Sequence, residues 1–235
     1  MGGDILRALK LLREKEFVLI YDDPARENEV DMVVAAQFVE PWHVAKMRRD
    51  AGGLICVSLH PRIAENLSLP YLTEIYESSP FSLLRLLRPY DLPYDERSAF
   101  SISVNARSTR TGITDEDRAR TIRELAELGR LALNGPAVEE FGRRFRSPGH
   151  VPLLPAAKGL LKERKGHTEL SVVLAQLAGL TPVMAICEML DEGTHKALSV
   201  ERAREYAERE GYVLLSTREI VEMSTASSAQ EVARW

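Results

Sequence analysis

Short apolar runs alternate along this chain with longer stretches of helical periodicity, and no other feature constrains the fold as tightly. The runs 17–21, 32–36, 54–59, 99–104, 151–154, 183–187 and 212–215 have strand length and are rich in branched or aromatic residues. Between them, residues 4–15 place Ile5, Leu9 and Leu12 on one helical face behind Asp4 as a cap. Pro41 opens a helix that Gly52-Gly53 closes. Thr114 caps a long helix to about residue 133, with Asp115, Glu116 and Asp117 at its positive end. Residues 167–178 and 200–209 supply two more. Strands interleaved with helices predict the α/β class, with a mixed sheet sandwiched between helices. Residues 60–97 hold Pro61, Pro70, Pro80, Pro89 and Pro93 and read as irregular, as does Ser147-Pro148-Gly149-His150. No Pro/Gly/Ser linker divides the chain. One domain is therefore expected over residues 1–223, followed by a polar, flexible tail over 224–235.

Composition removes several function classes. The 235 residues include 31 Lys and Arg against 35 Asp and Glu, with no basic run, which speaks against a nucleic-acid partner. The apolar runs fall far short of the ~20 residues that span a bilayer, and the N-terminus lacks the pattern of a secretory signal. Cys56 and Cys187 are the two cysteines. Each lies in or beside an apolar run, as expected of buried, reduced thiols in a cytoplasmic protein.

The acids are not evenly spread. The window 22–31 holds five acids and one base, Arg26, so the whole net charge of −4 arises there and the rest of the chain is neutral. Such crowding is unfavourable unless the acids are solvated, protonated or paired with a cation. A solvated charged loop is one reading. The apolar strands on both sides favour another, a ligand site at a sheet end, where a hard divalent cation takes carboxylate oxygens and neighbouring acids divide general acid and base roles. In an extended conformation Glu27, Glu29 and Asp31 point to one side, with Arg26 and Asn28 on the other.

A second site signal is Arg164-Lys165-Gly166-His167-Thr168-Glu169 ahead of an apolar helix. Thr168 fits an N-cap, Gly166 permits close backbone approach, and Arg164 offers a fork suited to phosphate at a helix N-terminus. An ordinary capped helix after a basic loop is the plainer reading. His150 follows a tight turn, Thr111-Gly112 precedes a capped helix, and Glu188 ends a buried run; each is a weaker candidate. His43, His60 and His195 are expected to be structural.

Together these segments resemble the 3,4-dihydroxy-2-butanone-4-phosphate synthases of riboflavin biosynthesis, in their archaeal-like single-domain form. The resemblance rests on residues 21–31, Gly53-Leu54-Ile55-Cys56, residues 100–104, Thr111-Gly112-Ile113 with Asp117-Arg118, Pro148-Gly149-His150-Val151, Gly166-His167-Thr168-Glu169 and Cys187-Glu188, all in the family's order. Arg110 and Lys158 depart from the family's usual residues. The resemblance implies the α/β sandwich fold of that family, a homodimer, a Mg²⁺ or Mn²⁺ cofactor, and a lyase acting on ribulose 5-phosphate. Carried over by position, Glu27 and His167 are the metal ligands. Arg26, Asp31, Thr111, Arg164, Lys165, Gly166, His167, Thr168 and Glu188 contact the sugar phosphate. His150 and Glu188 are essential to catalysis, with Asp31 or Glu29 as further proton carriers, and Cys56 lines the site. A metal-dependent isomerase or aldolase for sugar phosphates would draw on the same parts.

Overall fold

The computed structural model describes residues 2–88 and 91–231. Helix α1 (Gly2–Arg13) precedes β1 (Val18–Tyr21) and β2 (Val30–Ala35), which pair antiparallel and make the acidic segment a hairpin loop. Helix α2 (Pro41–Lys46) runs through a π-turn into β3 (Cys56–Leu59). Three short helices follow, α3 (Pro61–Asn66), α4 (Leu72–Ser78) and α5 (Ser82–Leu86), then β4 (Ser103–Ala106), α6 (Asp115–Ala132), α7 (Val138–Arg144) and β5 (Phe145–Pro155). Helix α8 (His167–Leu177) leads to β6 (Val183–Glu188), a small hairpin of β7 (Leu190–Asp191) and β8 (Lys196–Ala197), α9 (Val200–Glu210), β9 (Leu214–Ser216) and α10 (Thr217–Glu231).

The main sheet has seven strands in the order β4-β5-β3-β6-β2-β1-β9. The pairs β3–β5 and β1–β9 are parallel and the others antiparallel. Side-chain alternation sorts the strands into two cores. Val30, Met32, Val34, Val57, Leu59, Leu153 and Ala185 face a core shared with α2, α6 and α9. Val33, Ala35, Cys56, Leu154, Met184 and Ile186 face a second core shared with α1, α8 and α10. Strands covered on both faces read as unbroken apolar runs, which is why these were visible in the sequence. Each buried Val, Leu or Ile contributes roughly 1.5–3 kcal/mol. Asp31 is the polar exception in the wholly buried β2.

Several expectations change. Residues 60–97 hold three helices: Pro61 opens α3 instead of breaking structure, because a proline at the first helical position gives up no needed N–H. The strand expected at 99–104 begins only at Ser103, and α7 was not foreseen. Residues 147–150, expected as a loop, form a bulge within β5: Val151 pairs with Val104 and Arg146 with Asn105, leaving the residues between without a place in the ladder. Gly149 is required there, since a Cβ would collide with the Val104 carbonyl carbon and the Asn105 amide. Helix α10 reaches Glu231, so regular structure enters the segment expected as a flexible tail; residues 232–235 lie outside the described residues. Among the described residues no helix is long and apolar enough to cross a membrane.

Candidate active site

The acidic hairpin is ordered by its own carboxylates. Buried Asp22 accepts the Glu27 N–H at Oδ2 (2.9 Å) and the Glu29 N–H at Oδ1 (3.0 Å). The Tyr21 hydroxyl donates to Asn28 Oδ1 at 2.7 Å, and Asn28 adopts φ 57°, a left-handed value that Asn tolerates. The loop is therefore not a simple extended strand. Its turn still brings Glu27, Glu29 and Asp31 to the wall of one cleft.

The opposite wall is the start of α8. The helix begins at His167 with Gly166 as N-cap and no side-chain cap, so Thr168 does not cap it; Thr168 lines the cleft instead. The His167 ring is buried, and its Nε2 donates to the Glu29 carbonyl at 3.2 Å. That bond leaves Nδ1 turned toward the acids, 3.3 Å from Glu27 Oε2 and 3.8 Å from Asp31 Oδ1. Ligand atoms of Asp22, Glu27 and His167 all lie within 4.8 Å of one another. Two carboxylates and an imidazole, beside a buried Asp31 Oδ1 that has no hydrogen-bond partner, fit a single divalent cation. Asp22 already spends both oxygens on loop amides, which leaves Glu27 and His167 as the better-placed ligand pair.

Asp31 pairs with Glu188 across β2 and β6. Glu188 Oε2 accepts the Leu54 N–H at 2.8 Å, and Gly53 makes room: a Cβ there would sit 2.6 Å from the Glu188 carbonyl oxygen. Burial, reinforced by the charges of Glu188, Glu27 and Glu29 and opposed by His167, lifts Asp31 to about 7. Burial works against His167 ionisation, but Asp31, Glu27 and Asp22 outweigh it and raise the imidazole to about 9. Burial also opposes ionisation of Glu27, yet the His167 hydrogen bond and the nearby cations bring it below its usual range. Glu29 is raised by burial and by Glu27 and Glu188. The cleft thus holds acids pushed to different pKa values, the condition for separate acid and base roles.

The cleft measures about 250 Å³ and is also lined by Phe100, from a segment that carries the resemblance, and by Tyr94, Arg97, Ser98 and Ala99, which have no site motif in the sequence. Arg164 lines it, anchored by its Nη1 to buried Glu169 at 2.7 Å and by its Nε to Asp95 at 2.6 Å. Arg26 donates to the same Asp95 oxygen at 2.9 Å.

Other expected residues lie elsewhere. Arg26 and exposed Lys165 line an adjoining outer groove. Cys56 is buried on the same sheet face as Glu188 and does not line the cleft, and burial together with the charges of Glu188 and Asp31 pushes its thiol well above the usual range. His150 is exposed and tied to Asn105, whose Nδ2 donates to the His150 ring at 3.1 Å and to the Thr111 carbonyl at 3.3 Å. The registers Asp31↔Glu188 and Cys56↔Ile186, with the Leu54 N–H on Glu188, place Asp31, Glu188 and Leu54 in one row across the sheet end, and neither His150 nor Thr111 lines the cleft. His150 and Thr111 therefore keep company with each other, not with the acidic cleft of their own chain.

Residues 6–223 match the family model described as 3,4-dihydroxy-2-butanone 4-phosphate synthase. The chain is 50% identical over 220 residues to the protein of that name from Methanothermobacter thermautotrophicus, covering 93% of this chain and 94% of that one. It is 49% identical over 222 residues to the one from Archaeoglobus fulgidus, covering 93% of each. A solved structure of a 3,4-dihydroxy-2-butanone 4-phosphate synthase in complex with two magnesium ions superposes with a TM-score of 0.74 at 32% identity, covering 97% of this chain and 98% of that one. The acidic hairpin and the Gly-His-Thr-Glu helix start thus meet in one cleft within a chain that, over nearly all its length, belongs to the 3,4-dihydroxy-2-butanone 4-phosphate synthase family.

Proposed function

We propose that this chain is a Mg²⁺- or Mn²⁺-dependent lyase of riboflavin biosynthesis, converting D-ribulose 5-phosphate to L-3,4-dihydroxy-2-butanone 4-phosphate and formate in the cytoplasm. The observation that carries the reading is the approach of Glu27 to His167 within a cleft also lined by Glu29, Asp31, Arg164 and Glu188.

Glu27 and His167 would hold the cation, which when bound polarises the ketose carbonyl and acidifies the neighbouring C–H. Around it, this chain's own groups divide the work. Asp31, buried with an Oδ1 that has no hydrogen-bond partner, would serve as the base that starts enolisation, with Glu29 beside it. Glu188, held by the Leu54 amide, stands opposite Asp31 as a second proton carrier. Arg164 and the start of α8 fix the phosphate end and so orient the reacting carbons toward the acids. The reaction needs no redox partner: the water lost at C1 is regained when C4 leaves as formate.

A homodimer gives His150 and Thr111 a place in the chemistry. Leu54 and Ile113 are 55% and 50% exposed beside them, an apolar edge suited to a second copy. That edge, laid over a neighbouring cleft, would add His150 as a proton carrier and Thr111 as a substrate contact.

Incubation with ribulose 5-phosphate and Mg²⁺, followed by formate detection, tests the reaction. Stoichiometric formate, abolished by EDTA, is the expected result. Consumption of the sugar phosphate without formate would make the protein an isomerase or aldolase.

A further inference from the structure

The strap that lines the cleft with Tyr94, Arg97 and residues 98–100 turns Asp95 to the adjoining outer groove, where two arginines converge on it. A single oxygen, Oδ2, accepts from Arg164 Nε at 2.6 Å and from Arg26 Nη2 at 2.9 Å, while Oδ1 takes the adjacent Glu96 N–H at 2.9 Å. Arg164 cannot turn away, because its other edge is held by Glu169, which also accepts the Ala157 N–H at 2.9 Å. Arg26 Nε is buried without a hydrogen-bond partner. Asp22 Oδ2 lies 4.0 Å from that Nε, too far for a hydrogen bond, and Glu169 holds the far edge of Arg164, so Asp95 is the one carboxylate that bridges the two guanidinium groups, and an anion taking its place finds one N–H not yet hydrogen-bonded. The downstream end of this strap is fixed: the Leu72 N–H donates to the Phe100 carbonyl at 2.8 Å, and Arg97 stacks 3.5 Å from the centre of the Tyr71 ring. At Asp95 itself the arginine bonds hold the strap down.

We propose that Asp95 is a specificity-determining residue: it occupies the phosphate seat as an internal anion and gives it up only to a ligand group of higher charge. The inference rests on the reading that Arg26 and Arg164 face the substrate phosphate. A phosphate monoester carries more than one negative charge at neutral pH and offers three acceptor oxygens, enough to use Arg26 Nε as well. An unphosphorylated sugar or a monoanion brings no advantage over the resident carboxylate and is refused. Displaced, Asp95 moves further out into the groove that it already lines together with Lys162 and Lys165. Until then it keeps both guanidinium groups aligned and charge-balanced in a half-buried place.

Calorimetric titration of the metal-free protein with inorganic phosphate tests this. Asp95→Asn keeps the size of the side chain but removes the competing charge. Phosphate should then bind about tenfold more tightly, and KM for ribulose 5-phosphate should fall without a rise in kcat. Asp95→Ser, which leaves the seat open, repeats the measurement on a second background if the first variant fails to fold. Unchanged or weaker phosphate binding would overturn the proposal. Arg26→Gln separates the two levels of the argument. If it leaves phosphate binding by the parent protein intact, the location of the phosphate end is itself wrong. If it weakens binding while Asp95→Asn fails to tighten it, the seat stands and the role of Asp95 falls.

Discussion

Nδ1 of His167 lies 3.3 Å from Oε2 of Glu27, although 140 positions of chain separate the two residues. The contact exists because β2 carries the acidic hairpin beneath the start of α8, and because Nε2 of the same ring is committed to the Glu29 carbonyl. Glu27→Gln keeps the shape but removes the ligand charge, and His167→Ala removes the nitrogen. Each should lower kcat by a factor on the order of 10²–10³, with Tm little changed in Glu27→Gln. Steady-state kinetics beside thermal melts check this, and full activity in either variant would reject the assigned ligands.

Cation binding should strengthen as pH rises. The metal-free His167 imidazole is raised to about 9, so below that pH a cation must displace its proton. Mg²⁺ affinity, measured by titration between pH 6 and 9, should weaken by up to about tenfold for each unit of falling pH. In His167→Ala that dependence should vanish along with most of the affinity.

The stability of the metal-free protein should run the other way. Asp31 rises from 3.8 to about 7 on folding, and His167 from 6.5 to about 9. A raised folded pKa means that the folded state binds more protons, so its contribution is full below the unfolded pKa and is lost as pH climbs through the folded one. Denaturant melts in EDTA should therefore show stability falling from pH 6 to pH 9. Asp31→Asn should flatten the portion of that slope near pH 7, and a slope that survives unaltered would place the titration elsewhere.

Arg164→Ala reads from the sequence as a substrate-binding variant that raises KM. The structure adds a cost to folding. Glu169 is wholly buried and Arg164 is its charged partner, so truncation should destabilise by about 3–5 kcal/mol. Arg164→Ala combined with Glu169→Gln should recover part of that loss while KM stays high. Chemical denaturation and kinetics on the same samples separate the two effects.

Gly53→Ala should injure the site from outside the cleft. Its Cβ would lie 2.6 Å from the Glu188 carbonyl oxygen and 2.8 Å from the Glu188 Cβ, so either β6 or the turn must shift. A stability loss of about 1–3 kcal/mol is expected, together with a fall in kcat larger than any change in KM. Near-normal kcat would show that the position of Glu188 is not critical.

The sequence showed the central strands well because both of their faces are buried, and it showed α6 because Thr114 caps it and acids fill its first turn. It also marked both walls of the acidic cleft, since local charge crowding and a Gly-led helix start are short-range signals. Prolines misled where they open helices: Pro61 begins α3, inside a stretch that reads as irregular. Pro148-Gly149 reads as a turn but lies in a bulge that keeps β5 running to Pro155. The strap that carries Asp95 stayed hidden because Asp95 finds Arg26 and Arg164 each 69 residues away. Nor does any local pattern reveal that Asn105 draws His150 and Thr111 into a separate group.

Helix α8 is buried from His167 through Ala175, so the element that presents the imidazole is also a wall of the second core. The proposed ion capture and cooperative melting are thereby tied to the same segment. With His167 as the proposed ligand, the helix could not work loose from its packing without surrendering the cation, and a cation bound at its tip would resist that loosening by mass action. Heat would end turnover and unfold the domain as one event.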